Sequence, residues 1–180
     1  GKSSFENCNS ITSIITPDAI ETIDNRAFKD CTSLVDVTLG NSLTKLGDYA
    51  FDYCRNIASI VIPDRVTTIA PEAFNDCSGL VSIIIPGSVK EIGNSAFGKC
   101  SALLSVEIPD SVTIIDDCAF RGCTSLEKVI IPSSVTELGW GLFDGCETTV
   151  TVYCEEGSAI HTYCQNNNIH CESLSERESY

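Results

Sequence analysis

Eleven cysteines in 180 residues are the most reactive feature of the sequence. In an oxidising compartment such a number implies a disulfide framework. Seven of them, however, keep one register: Cys8, Cys31, Cys54, Cys77, Cys100, Cys123 and Cys146. Each stands three residues after a phenylalanine. A thiol beside Phe on a repeated register reads as a small buried apolar group. Side chains on one ladder point the same way, and seven cannot pair completely, so a reduced packing ladder is expected. Cys118, Cys154, Cys164 and Cys171 lie off the register. Cys154 takes a strand core position, and Cys164 with Cys171 could bridge near the C-terminus. Zinc finds little support, because no C-x-x-C pair exists and Cys118 with Cys123 is the only close pair.

The remaining reactive types are sparse. His161 and His170 are the two histidines, and no G-x-S-x-G, H-E-x-x-H or P-loop pattern occurs. Asp18, Asp64 and Asp110 recur ten residues past a cysteine, but on alternate repeats only. Calcium needs several converging oxygens, which one carboxylate per alternate repeat does not supply. The expectation is a chain that is not an enzyme and has neither cofactor nor metal.

The cysteine register belongs to a larger period. All seven Phe residues fall 23 apart: Phe5, Phe28, Phe51, Phe74, Phe97, Phe120 and Phe143. Three residues past the cysteines stand Ile11, Leu34, Ile57, Leu80, Leu103 and Leu126. Six past stand Ile14, Val37, Ile60, Ile83, Val106 and Val129. Eight past stand Leu39, Ile62, Ile85, Ile108 and Ile131. The unit reads C-x-S-L-x-x-V-x-I-P-x-S-V-x-x-I-G-x-x-A-F-x-x. Its V-x-I piece alternates with period two and is β-branched, so it predicts a short strand that the following Pro ends. The A-F-x-x-C piece predicts a single helical turn on the opposite side.

One such unit cannot bury enough apolar surface to order itself, so neighbouring units must share a core. The predicted fold is an α/β solenoid of the leucine-rich-repeat kind, a right-handed stack of 23-residue turns. Short parallel strands line the concave side, short helical turns the convex side, and a cap closes the C-terminus. The stack is expected over residues 1–154, about seven turns with an incomplete first one. The cap is expected over 155–171, with a helix beginning near Gly157-Ser158 and stopping at Asn166 to Asn168. A loose polar tail is expected over 172–180.

The unit resembles the BspA-like, or Treponema-type, class of leucine-rich repeats. The stretch CSGLVSIIIPGSVKEIGNSAFGKC, Cys77 to Cys100, matches that class almost position by position, and the likeness runs over roughly residues 5 to 154. The tail TVTVYCEEGSAIHTYCQNNNIHC also looks like the usual ending of the class, with Cys164 where its pattern has Ala. The resemblance implies a secreted or surface-displayed protein that adheres to host matrix proteins or to other microbes. Location is not legible in the residues themselves, since Gly1-Lys2-Ser3-Ser4 leads straight into repeat sequence.

Charge narrows the partners. Twenty-five acidic against eleven basic residues give a net charge of −14, which repels nucleic acid and anionic membrane surfaces. No apolar run is long enough to insert in a bilayer. A protein ligand remains, and the outward-facing strand positions are its candidate site. Five past each cysteine stand Asp36, Ser59, Ser82 and Ser105; seven past stand Val61, Ile84, Glu107 and Ile130. Val61, Ile84 and Ile130 would form an apolar strip in water, which reads either as plain strand propensity on an open sheet or as a partner site. The single Trp140 sits in a loop register and could either pack on the C-terminal cap or anchor an interface. The open first turn could also self-associate. The reading is a non-enzymatic binding module acting through the concave face. The alternative is a structural spacer within a longer surface protein.

Overall fold

The computed structural model describes residues 1–174. Its first row of strands is β1 (Ser13–Ile15), β3 (Asp36–Thr38), β5 (Ser59–Val61), β7 (Ser82–Ile84), β9 (Ser105–Glu107), β11 (Lys128–Ile130) and β13 (Thr151–Cys154). These are the V-x-I segments, and they pair in parallel in a register of 23: Ile14 with Val37, Ile60 with Ile83, Val106 with Val129 and Val129 with Val152. β3 lies beside β5 and β7 beside β9, so the row continues along the stack. The central residue of each strand points inward and its neighbours outward, as the pleat requires.

A second row was not anticipated. The pair before each bend, where Gly47, Gly93 and Gly139 stand on alternate turns, also forms strands: β2 (Thr22–Ile23), β4 (Lys45–Leu46), β6 (Thr68–Ile69), β8 (Glu91–Ile92), β10 (Ile114–Ile115) and β12 (Glu137–Leu138). They too pair in parallel, 23 residues apart. Each turn of the solenoid thus carries two strands rather than one.

The A-F-x-x-C stretches are not the short helical turns expected from their length. They are overlapping β-turns, closed in one unit by the amides of Ala50, Asp52 and Cys54 on the carbonyls of Gly47, Tyr49 and Phe51. Two of the three place a left-handed residue third, as type II turns do: Tyr49 at φ 59° and Tyr53 at φ 62°. The same two positions are left-handed in the other units, at Arg26 and Asp30, Glu72 and Asp76, Ser95 and Lys99, Cys118 and Gly122.

The alternate amides run lengthwise. Tyr49, Phe51 and Tyr53 donate to the carbonyls of Pro71, Ala73 and Asn75 in the next turn, at 3.0, 2.8 and 2.9 Å. Equivalent triplets join every turn to the next, from Ser3, Phe5 and Asn7 through to Cys118, Phe120 and Gly122. All these peptides point the same way, with N–H toward the C-terminal end. At that end the Glu147 carboxylate accepts the Gly145 amide at 2.9 Å. Bonds from its own amide and from Gly145 hold Glu147 below the usual carboxylate range.

Between the strand rows and this turn edge lies one apolar core. The Phe rings form a continuous stack, with centroids 5.2 to 5.9 Å apart and planes within 11° of parallel. Leu34, Leu80, Leu103 and Leu126 are fully buried beside them. After β13 come helix α1 (Ala159–Asn167) and strand β14 (His170–Ser173), which pairs in parallel with β13. Ser158 caps α1 by accepting from the His161 amide, and Asn168 ends it in the left-handed conformation. Ile160 and Cys164 bury against the last turn, and Tyr163 Oη accepts from the Leu142 amide at 2.9 Å. β14 carries ordered structure through Ser173, two residues past the expected boundary at 171. The rest of the expected polar tail, from 175, lies outside the described residues.

Candidate functional site

The outward positions of the first strand row fall into two lines. One is Ser13, Asp36, Ser59, Ser82 and Ser105, all exposed. The other is Ile15, Thr38, Val61, Ile84 and Glu107. Register places Ile15 against Thr38 and Val61 against Ile84. Ile15, Val61 and Ile84 are 79%, 61% and 64% exposed, which is unusual for β-branched side chains that could have been buried. The expected pairing of Val61 with Ile84 in water is therefore present.

Ile130 corrects the expectation. It is only 8% exposed and does not join the strip. Its register partners are Glu107 and Tyr153, two longer side chains on either side. Tyr153 in turn lies under Lys128, whose Nζ sits 4.8 Å from the ring centroid. The apolar strip therefore ends at Ile84, and a charged and aromatic group follows it.

The surface around Ile84 is shaped. A cavity of about 410 Å³ opens between β7 and β9, lined by Ser82, Ile84, Ser105, Glu107 and Pro109. A smaller one of about 170 Å³ lies on the other side of Val61, against Thr38, Asn41 and Pro63. The strip is thus a ridge of two branched side chains between two hollows, with serine hydroxyls along one flank.

A second exposed apolar line escaped the sequence reading. Val35, Val81 and Leu104 stand four residues past their cysteines and are 41% to 46% exposed. They precede the strands, outside the alternation that marked the first set, so period-two reading passed over them. Only their shared place in the repeat could have revealed them. Trp140 is 63% exposed, while its backbone is held by Asp117, whose Oδ1 accepts the Trp140 amide at 2.9 Å. It presents an exposed indole on a loop held at its backbone.

The ladder cysteines are buried from Cys31 onward. Each thiol donates to the carbonyl of the Phe one turn earlier: Cys54 to Phe28, Cys77 to Phe51 and Cys123 to Phe97, all at 3.1 Å. Burial pushes these thiols up, well above the usual value at Cys77 and Cys100, so they are poor nucleophiles. Asp52 is the one buried carboxylate among the described residues. It is held by Lys29 and by the Asn75 amide at 2.9 Å, and serves structure rather than chemistry. His161 Nδ1 accepts from the Gly157 amide and His170 pairs with Glu172. Among the described residues, no three His, Cys, Asp or Glu side chains converge as metal ligands. No helix among them is long and apolar enough to cross a membrane.

The BspA type leucine rich repeat region matches in six copies, over residues 1–109 and 90–179. The chain belongs to the BspA-type leucine-rich-repeat family. Among solved structures, the leucine-rich-repeat protein of T. pallidum is 28% identical. The match covers 95% of this chain and 77% of that one, with a TM-score of 0.78. A leucine-rich-repeat protein from Bacteroides ovatus ATCC 8483 is 24% identical, with a TM-score of 0.59 over 96% of this chain and 54% of its own. A leucine rich cell surface protein of Faecalibacterium prausnitzii A2-165 is 22% identical, with a TM-score of 0.50 over 89% of this chain and 64% of its own. The last two share the fold. No curated protein sequence matches the chain. BspA-type repeats belong to a class of protein-interaction modules.

Proposed function

We propose that this BspA-type stack is a cell-surface or secreted binding module that takes a protein ligand on its outward strand face. The observation that carries the reading is the exposed pair Val61 and Ile84 beside its two hollows. Branched side chains favour a strand even in water, but an exposed apolar pair between two hollows is also surface that a partner could bury. Ser59, Ser82, Ser105, Asp36 and Glu107 surround the pair and offer the polar rim that such contacts use. The surface location and the adhesive role, toward host matrix proteins or other cells, rest on family membership.

The test is binding of the chain to a panel of immobilised host matrix proteins, with an Ile84→Glu variant in parallel. We expect wild type to bind at least one member and the variant to bind it more than tenfold more weakly. Its folding stability should change by less than about 0.5 kcal/mol, since Ile84 is a surface residue. Binding that survives Ile84→Glu would move the site elsewhere, with Trp140 next in line. Binding to nothing would favour the spacer reading, in which the repeats only hold another domain at a distance.

A further inference from the structure

The three cysteines of the C-terminal segment, which lie off the 23-residue register, gather at one place. Cys154 ends β13 and Cys171 lies on β14, the strand paired with it. Cys171 stands opposite Val152, so it and Cys154 share the inward face of two neighbouring strands. Their sulfurs are 2.8 Å apart. Cys164 reaches the same place from α1 and is fully buried, in hydrogen-bonding contact with Cys171. The ladder thiols differ, because each is committed to a Phe carbonyl.

We propose that Cys154 and Cys171 are a disulfide-forming pair that locks β14 to the end of the stack, with Cys164 as an adjacent spare thiol. The sequence alone offered Cys164 with Cys171 as one bridge that could form. The geometry prefers Cys154, because the strand pairing already brings its sulfur against that of Cys171. The inference does not depend on the binding reading above.

Access supports the assignment. Cys171 is only partly buried. With Cys154 it lines a cavity of about 140 Å³, bounded by Glu156, His161, Glu172 and Ser173. A small-molecule disulfide such as oxidised glutathione can enter there. The Cys171 thiol gives its proton to water and the thiolate attacks one sulfur of that disulfide. The small S–S bond breaks, one thiol leaves with a proton, and a mixed disulfide remains. Cys154 then loses its proton, attacks the Cys171 sulfur and releases the second small thiol. Two electrons pass from two protein thiols to one small disulfide. Burial first, and then Cys171, push the Cys154 thiol up to about 12, while a hydrogen bond from Ser158 favours its thiolate. Proximity is what lets so weak an acid complete the exchange. The closed loop spans all of α1, so the bond would hold helix and strand together.

The experiment exposes the folded full chain to oxidised glutathione, alkylates remaining thiols in denaturant, and cleaves after glutamate without reduction. That cleavage separates 148–155, carrying Cys154, from 157–172, carrying Cys164 and Cys171. We expect these peptides to be cross-linked in wild type and in Cys164→Ala, with tandem fragmentation placing the bond at Cys171. Cys171→Ser should lose the cross-link. Proteolysis of the C-terminal segment should slow at least tenfold on oxidation of wild type and not at all in Cys171→Ser. An internal Cys164–Cys171 loop within 157–172, a bond placed at Cys164, or a lasting glutathione adduct on Cys171 without a cross-link would each overturn the proposal.

Discussion

At the scale of single residues, each buried cysteine of the ladder fills the space of a small apolar side chain while its S–H satisfies a Phe carbonyl in the preceding turn. Position and burial were legible in the 23-residue register, but the hydrogen bond was not, because it joins residues 26 apart across a junction that only the folded stack creates. The bond and the burial have a consequence in alkali. Burial, followed by the nearby Glu147, raises Cys146 from 9.0 to about 12. Between those values the unfolded chain has released a proton that the folded chain keeps, so stability falls as pH rises. The contribution is intact below about pH 9 and is lost progressively up to about pH 12. Cys54, Cys77, Cys100 and Cys123 shift in the same direction. Under reducing conditions the urea midpoint should drop between pH 8.5 and 10.5, and the drop should be smaller in Cys146→Ala. An equal slope in both proteins would assign the loss to other groups. Ile130 shows the limit of reading single positions: its place in the repeat predicted exposure, and its neighbours Glu107 and Tyr153 decided otherwise.

At the scale of elements, the strand row could be read directly, since alternating β-branched residues ahead of a Pro leave few other choices. The turn edge could not. A-F-x-x-C has the length of a helical turn, and the left-handed positions in and before it are occupied by residues such as Tyr49, Tyr53, Glu72 and Ser95, with glycine only at Gly122, Gly141 and Gly145. Nothing in those side chains announces a positive φ. The stack imposes it, because alternate amides must turn lengthwise to meet the next turn. A left-handed L-residue costs roughly 1–2 kcal/mol, and glycine, which escapes that cost, forfeits about 0.5–1 kcal/mol through the unfolded chain. Ser95→Gly, at φ 50°, should therefore stabilise the protein by about 0.5 kcal/mol. Ser95→Ile should destabilise it by about 1–2 kcal/mol, since a branched Cβ suits that region least. Denaturant unfolding of the two variants checks the sign. A helical edge would give the reverse order, because glycine is the poorer helix former.

At the scale of the whole molecule, contacts are made almost entirely between one turn and the next, so cohesion varies along the stack. Phe5 is 45% exposed and Cys8, Ile11 and Ile14 are only partly buried, whereas Phe51 to Phe120 are fully enclosed. A cavity of about 500 Å³ lies open against the first turn, lined by Phe5, Ile14, Ile20 and Phe28 among others. Amide exchange should accordingly be fastest at Phe5 and Phe28 and at least a hundredfold slower at Phe74 and Phe97. Uniform protection along the Phe column would mean that the turns open together rather than from this end.

The lengthwise bonds of the turn edge are the same at each junction: three amides of one turn meet three carbonyls placed identically in the next. Losing the 23 codons for residues 78–100 would leave Glu72, Phe74 and Asp76 facing the carbonyls of Asp117, Ala119 and Arg121, backbone groups equivalent to those they lost. Backbone does not register which side chain it carries. In-register recombination between repeats can therefore lengthen or shorten such a gene without any junction having to be reinvented, and the width of the outward strand face becomes a matter of copy number.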